Sequence, residues 1–366
     1  MIRPRVLFLS NFPVPYQMEL LRAVEAAGEL EMIPRFLADR DPGRAWPCDA
    51  KELVLPSVGA RLPPELRWHP TLLFELARAR PDLAIVCGYS YATFQTALLA
   101  LAVGRVPTLL WAETPRLSQG DVVRRVARRA LLAQARFTRG VLAVGTRAAE
   151  TWRRALSNRV PVASFPYVCD VDRYLALPRA AARDTFTYLF SGQLIHRKGV
   201  DVLVEAFTRA AEANPALRLV LAGDGPERAR FEALVPEALR PRVEWLGFVS
   251  WDALPQVYAR ADALVIPSRH DGWALVVNEA FAAGLPVIAS DAVGAAHDLV
   301  VDGVTGRRVP AGEIAPLAAA LAELPPHAAR MGAAAREVAR ARLLPSQAAV
   351  RLAQLVRATL AGEKLA

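Results

Sequence analysis

Ser268 to Ser290, SRHDGWALVVNEAFAAGLPVIAS, is the stretch from which the rest of the chain can be read. It follows the apolar run Ala263 to Ile266 and turns at Asp271-Gly272. The pattern predicts a helix opening near Trp273 and ending at Gly284, before a second apolar run from Pro286 to Ala289. Apolar run, turn, helix and apolar run make the repeating unit of a parallel sheet covered on both faces. A helix that begins at the carboxyl end of such a strand offers free backbone N–H groups and the positive end of its dipole, a setting suited to a diphosphate. Asp271 and Glu279 bracket the expected helix start, eight positions apart. At the helical rise they would stand roughly 12 Å apart, about the reach from a hexose to a ribose across a diphosphate. One carboxylate would then accept hydrogen bonds from sugar hydroxyls and the other from ribose hydroxyls. Glu279 lies among Val276, Val277, Ala280 and Phe281, where an unpaired charge would be costly and a solvated surface role is disfavoured. Asp271 alone would also serve as an ordinary helix cap.

Working outward, the same alternation covers both halves. Thr187–Phe190, Leu217–Leu221 and Arg242–Leu246 read as further strands of the second half. In the first half, Arg5–Ser10, Asp82–Cys87, Val106–Trp111 and Gly140–Val144 read as strands, with helices over 16–27, 71–80 and 92–102. The Pro-rich block 160–183 interrupts the rhythm, and 328–360 is helical with a break at Pro345. These patterns predict an α/β chain with two Rossmann-like domains facing a cleft. Residues 1–171 form the first domain, 172–184 the linker, 185–344 the second domain, and 345–366 a helix packing back on the first.

The length of 366 residues suits two such domains. A hydrophobic fraction of 53% invites a search for a membrane span. The most apolar stretch, Thr96 to Trp111, is broken by Arg105 and Pro107 and is too short to cross a bilayer. No signal-peptide pattern follows the short apolar segment Val6–Leu9. Cys48, Cys87 and Cys169 lack paired spacing, which argues against a disulfide framework or zinc site. Together these features predict a cytoplasmic protein. The net charge of +9 is carried almost wholly by arginine. Arg124, Arg125, Arg128, Arg129, Arg136 and Arg139 cluster within Asp121 to Gly140. That window reads equally as a helix docking on anionic lipid at the inner face of the membrane and as a helix packed on its own sheet with a solvated basic face.

Phe190 to Val200, FSGQLIHRKGV, is a second strand entering a glycine-bearing turn. Lys198 is one of only three lysines in a chain that otherwise uses arginine, so a compact ammonium is called for there. It would neutralise a leaving diphosphate, whereas Arg197 reads as a solvated neighbour. With Leu221 to Pro226 (LAGDGP), these segments in this order resemble glycosyltransferase family 4, retaining enzymes of GT-B fold. The likeness covers the second half well and the first half loosely.

The resemblance implies that Asp271 and Glu279 take the places of the family's two glutamates, Asp271 replacing the first. It implies that Gly272, Trp273 and Ala274 line the sugar, that the amides of Leu275 and Val276 meet the diphosphate, and that Lys198 is the phosphate-binding lysine. Gly192 and Gln193 belong to the same donor-binding set, with Gln193 standing where the family usually has arginine. It further implies front-face attack without an essential metal, the β-phosphate helping to take the acceptor proton. UDP-sugars are the first expected donors and GDP-sugars the second, with a carbohydrate or lipid-linked hydroxyl as acceptor.

In the first half, Asn11-Phe12-Pro13-Val14-Pro15-Tyr16 replaces the glycine-rich loop that many members carry. Glu113, just past a strand, is a candidate catalytic or acceptor-side carboxylate; a capping or surface role fits it equally. Asp170-Val171-Asp172 imitates a metal-binding DxD and reads as a turn. Neither half shows a dinucleotide fingerprint, and no nucleic-acid partner is expected. Two rival readings share these features: a sugar-nucleotide epimerase of the same architecture, and a donor-binding scaffold of weakened activity at a membrane.

Overall fold

The computed structural model describes residues 3–39, 50–58, 67–115, 132–178 and 184–365. Two compact units divide the chain, Met1–Val168 with Pro345–Ala366, and Cys169–Leu344. The first unit runs β1 (Arg5–Ser10), α1 (Pro15–Ala27), β2 (Glu31–Phe36), α2 (Thr71–Ala79), β3 (Leu83–Val86), α3 (Ala92–Val103), β4 (Thr108–Ala112), β5 (Gly140–Ala143), α4 (Thr146–Ala155) and β6 (Val162–Ser164). Its six strands are parallel in the order β2-β1-β3-β4-β5-β6. The central strands β1, β3, β4 and β5 are buried almost throughout, as expected for strands covered on both faces.

The second unit opens on a short helix, α5 (Asp172–Leu175), followed by β7 (Phe186–Ser191), α6 (Val200–Ala213), β8 (Leu217–Ala222), α7 (Arg228–Ala233), β9 (Val243–Gly247) and α8 (Leu254–Ala259). It continues with β10 (Ala263–Ile266), α9 (Val276–Ala283), β11 (Val287–Ser290), α10 (Gly294–Leu299), β12 (Gly306–Val309), α11 (Ile314–Glu323) and α12 (Ala328–Arg342). These strands are also parallel, in the order β12-β11-β10-β7-β8-β9. One core gathers Leu203 and Phe207 from α6, Tyr188 and Leu219 from the sheet, and Leu317 and Leu321 from α11. Full burial of each large apolar side chain stabilises the unit by about 1.5–3 kcal/mol.

The last helix, α13 (Pro345–Ala361), packs against α1 in the first unit, where Arg357 reaches Glu29 at 2.7 Å. Part of the expected linker, 172–184, is ordered differently. Asp172–Leu175 forms α5, which buries Tyr174 and packs on α8 and α9, so it belongs to the second unit. Most of the basic window Asp121 to Gly140, namely 121–131, lies outside the described residues. Of its arginines, Arg136 sits on a 3-10 turn over Gln134–Phe137. No helix among the described residues is long and apolar enough to cross a membrane.

Candidate functional site

In the second sheet, β7, β8 and β9 run outward in one direction and β10, β11 and β12 in the other. The strand order therefore reverses between β7 and β10. Open α/β sheets bind ligands outside the carboxyl ends of the strands at such a reversal. The two loops that leave these ends carry both segments picked out by sequence, Gly192–Gly199 after β7 and Pro267–Leu275 after β10. They are tied together, since Arg269 N–H donates to the Arg197 carbonyl at 2.8 Å and the Arg269 guanidinium grips Asp201 with bonds of 2.7 and 2.8 Å. Gly199 is in the left-handed region, and a Cβ there would overlap the Pro267 carbonyl, so glycine lets the loops approach.

That approach places the Lys198 ammonium 2.5 Å from Asp271 Oδ2, with both side chains largely buried. Arg197 is more than the solvated neighbour expected from sequence: its Nη1 donates to the His270 carbonyl at 2.7 Å and stands 3.9 Å from Asp271 Oδ2. Burial by itself would push the Asp271 carboxyl up. The Lys198 charge and hydrogen bond, with help from Arg197, outweigh burial and hold it below its ordinary value. A carboxyl lowered in the folded state contributes stability above its unfolded pKa and loses it as pH falls through the folded value. Asp271→Asn leaves Lys198 short of its counter-charge, so it should be less stable than the parent at neutral pH. Urea unfolding from pH 7 to 3 should show that gap shrink below about pH 4, the ordinary range of aspartate.

Downstream of Asp271 the chain is extended rather than helical. Asp271 N–H donates to the Ala292 carbonyl at 3.1 Å, the Asp271 carbonyl accepts from Gly294 N–H at 3.0 Å, and the Trp273 carbonyl from Ala295 N–H at 2.9 Å. The helix expected near Trp273 begins at Val276, because these bonds hold 271–273 against the start of α10. The 12 Å span built on helical rise therefore does not apply. Trp273 is 2% exposed, and its indole donates to Asn278 Oδ1 at 3.1 Å. Ala274 has φ +73°, an unfavourable conformation for alanine that turns the chain into the helix. Leu275 and Val276 then open α9, where the first amides have no carbonyl four residues back within the helix.

Glu279 is buried in the first turn of α9 and accepts a hydrogen bond from the Tyr258 hydroxyl at 2.6 Å. Tyr174 packs edge-on against Tyr258, with ring centroids 5.1 Å apart, and its hydroxyl also faces this carboxylate. Neither tyrosine stands out in the sequence, and Tyr174 falls within the expected linker 172–184. The available signal was the burial of Glu279, which demands a donor. Burial pushes the Glu279 carboxyl up, only partly offset by Tyr258, Tyr174 and the Arg173 charge. An acid raised in the folded state makes its largest stabilising contribution below the unfolded pKa and loses it as pH rises through the folded value. Glu279→Gln should accordingly melt higher than the parent at pH 7, with the difference vanishing towards pH 4, while its affinity for nucleotide falls. Differential scanning fluorimetry across that range, beside nucleotide titration, checks both effects.

Gly192 and Gln193 leave β7 under the LAGDGP loop. Gly192 N–H donates to the Ala222 carbonyl at 2.9 Å and Leu194 N–H to Asp224 at 2.9 Å. Glycines are required at 223 and 225, where a Cβ would overlap the Gly192 and Leu194 backbones. Glu113 belongs to the first unit. It follows β4 with its side chain exposed, and its carbonyl accepts from Trp152 Nε1 at 2.9 Å. Asp170 precedes α5, and Asp172 is the first residue of that helix.

Residues 178–338 match the family model for glycosyl transferases group 1. The GDP-mannose-dependent alpha-mannosyltransferase of Mycobacterium tuberculosis is 39% identical over 124 residues, 34% of this chain and 30% of that protein. The alpha-D-kanosaminyltransferase of Streptomyces kanamyceticus is 33% identical over 123 residues, 33% of this chain and 32% of that protein. The match thus spans under a third of either relative's length. Over nearly the whole chain, the fold matches Anabaena HepE in complex with UDP, with a TM-score of 0.73 and 20% identity, covering 97% of this chain and 100% of that one. Sucrose-phosphate synthase from Thermosynechococcus elongatus gives a TM-score of 0.76 at 23% identity, covering 99% and 100%. The fold is of the GT-B type.

Proposed function

We propose that this chain is a glycosyltransferase that moves a hexosyl unit from a nucleotide diphosphate sugar to a hydroxyl acceptor, with retention at the anomeric carbon, in polysaccharide, glycolipid or glycoconjugate synthesis. The observation that carries this reading is the Lys198–Asp271 pair at the strand-order reversal, with Asp271 on the segment that leads into α9. Lys198 and the amides of Leu275 and Val276 neutralise the diphosphate as it leaves, and groups preorganised for developing charge supply a large part of catalysis. Gly192 lets the backbone approach the donor. Gln193 carries no charge, so Arg197, already beside Asp271, supplies the second cation. Asp271 and the main chain of Gly272, Trp273 and Ala274 receive the sugar hydroxyls, and Glu279 receives the ribose. The β-phosphate helps to take the acceptor proton, no metal is essential, and Glu113 acts on the acceptor side.

UDP-sugars are favoured as donors because a HepE structure with UDP-glucose shares the fold; the GDP-mannose-dependent relative keeps GDP-sugars second. The matched relatives named above transfer sugars, which favours transfer over epimerisation. The acceptor is a carbohydrate or lipid-linked hydroxyl, and the basic window around Arg136 and Arg139 serves peripheral attachment at the inner membrane face. The test is proton NMR of products formed from UDP- and GDP-sugars with a panel of acceptors. A product with the donor's anomeric configuration supports the reading, an inverted product overturns retention, and an altered free sugar nucleotide made without acceptor favours the epimerase.

A further inference from the structure

We infer that Tyr258 is a positioning residue for the nucleoside end of this site: its hydroxyl, backed by Ser191 and flanked by Tyr174, orients the Glu279 carboxylate towards ribose, so the site selects ribonucleotides over deoxyribonucleotides. The inference rests on the reading of Glu279 as the ribose acceptor. Four elements meet at this carboxylate: Ser191 ends β7 next to Gly192, Tyr258 lies on α8, Tyr174 on α5 and Glu279 on α9. A carboxylate only accepts hydrogen bonds, so the single phenolic proton of Tyr258 goes to Glu279 Oε2, 2.6 Å away. The Tyr258 oxygen is left free to accept, and the Ser191 hydroxyl lies near it.

Burial alone would not orient Glu279, because its apolar neighbours Val277, Ala280 and Phe281 offer no side-chain donor. An ionised carboxylate has about four lone-pair sites. The Tyr258 phenol takes one of them, which leaves room for the 2′- and 3′-hydroxyls of one ribose. Tyr174 holds the Tyr258 ring by its edge-on contact, with an interplanar angle of 74°. A Tyr258 that served packing alone would affect binding of ribose and deoxyribose nucleotides alike. A positioning residue must change the ratio between them.

The experiment is isothermal titration of UDP, GDP, dUDP and dGDP into the full chain, its Tyr258→Phe, Ser191→Ala and Tyr174→Phe variants, with thermal melts beside them. The parent should prefer the ribonucleotide by about tenfold or more, the value of one hydrogen bond to a charged group. Tyr258→Phe should bring that ratio below about threefold, with Ser191→Ala intermediate. An unchanged ratio in Tyr258→Phe, or a parent indifferent to the 2′-hydroxyl, overturns the inference while leaving the donor site standing. If no nucleotide binds the parent, the donor reading and this inference fall together. Should Tyr258→Phe not fold, unchanged ratios in both Ser191→Ala and Tyr174→Phe overturn it equally.

Discussion

Lys198→Ala should slow release of nucleoside diphosphate from the donor by roughly 10²–10³-fold, the usual cost of removing one preorganised group that meets developing charge. Gly199 allows the 3-10 turn His196–Lys198 to lie against Pro267, and the ammonium emerges at the carboxyl edge of β7 and β10, against Asp271. Asp271 holds it in place through their 2.5 Å hydrogen bond. Removing Lys198 also strands a buried carboxylate, and breaking a pair of this kind costs about 3–5 kcal/mol. A slower variant could therefore be a partly unfolded one. The double variant Lys198→Ala with Asp271→Asn separates the effects: stability by urea unfolding should largely return while the rate of release should not. A rate restored along with stability would show that Lys198 serves the fold and not the leaving group.

The second large effect is expected at a residue with no side chain. A Cβ on Gly294 would overlap the Gly272 carbonyl and crowd Trp273 Cα. Gly294 N–H also donates to the Asp271 carbonyl, and Ala295 N–H to that of Trp273. Because the groups in the way are backbone, no side chain can rotate aside, and the extended stretch 271–273 must move. Gly294→Ala should cost about 1–3 kcal/mol, as overpacking does, and should abolish measurable nucleotide binding because Asp271 and the start of α9 move together. Urea unfolding and titration calorimetry measure the two effects. Gly312→Ala is the control, since Gly312 has a positive φ but open space around its Cβ position. It should lose some stability and keep nucleotide affinity.

Strands buried on both faces were legible because they are unbroken apolar runs: ALVI at 263–266 matches β10, and RVLFLS at 5–10 matches β1. The strands passed over, β2, β6 and β12, are all edge strands. β2 contains Pro34 and Arg35, β12 contains exposed Arg307 and Arg308, and β6 has only three residues. An edge has one side open to solvent, so it tolerates proline and charge and loses the apolar signature. The start of α9 was misplaced for a similar reason. Residues 271–273 pair with 292–295, a contact between segments about twenty residues apart that local periodicity does not encode. Lys198, Asp271 and Glu279 stood out as charges in apolar or glycine-bearing surroundings. Tyr258 and Tyr174 did not, because Tyr174 lies in the expected linker and a tyrosine looks the same in sequence whether its hydroxyl meets water or a buried carboxylate.

The most direct test of the central claim is protein-dependent release of nucleoside diphosphate from a panel of UDP- and GDP-sugars in the presence of diverse acceptors, with Lys198→Ala and Glu279→Ala run beside the parent chain. The account predicts release from at least one sugar nucleotide and its loss in both variants. Binding of a sugar nucleotide without release from any member of the panel would contradict it and leave a donor-binding scaffold in place of a transferase.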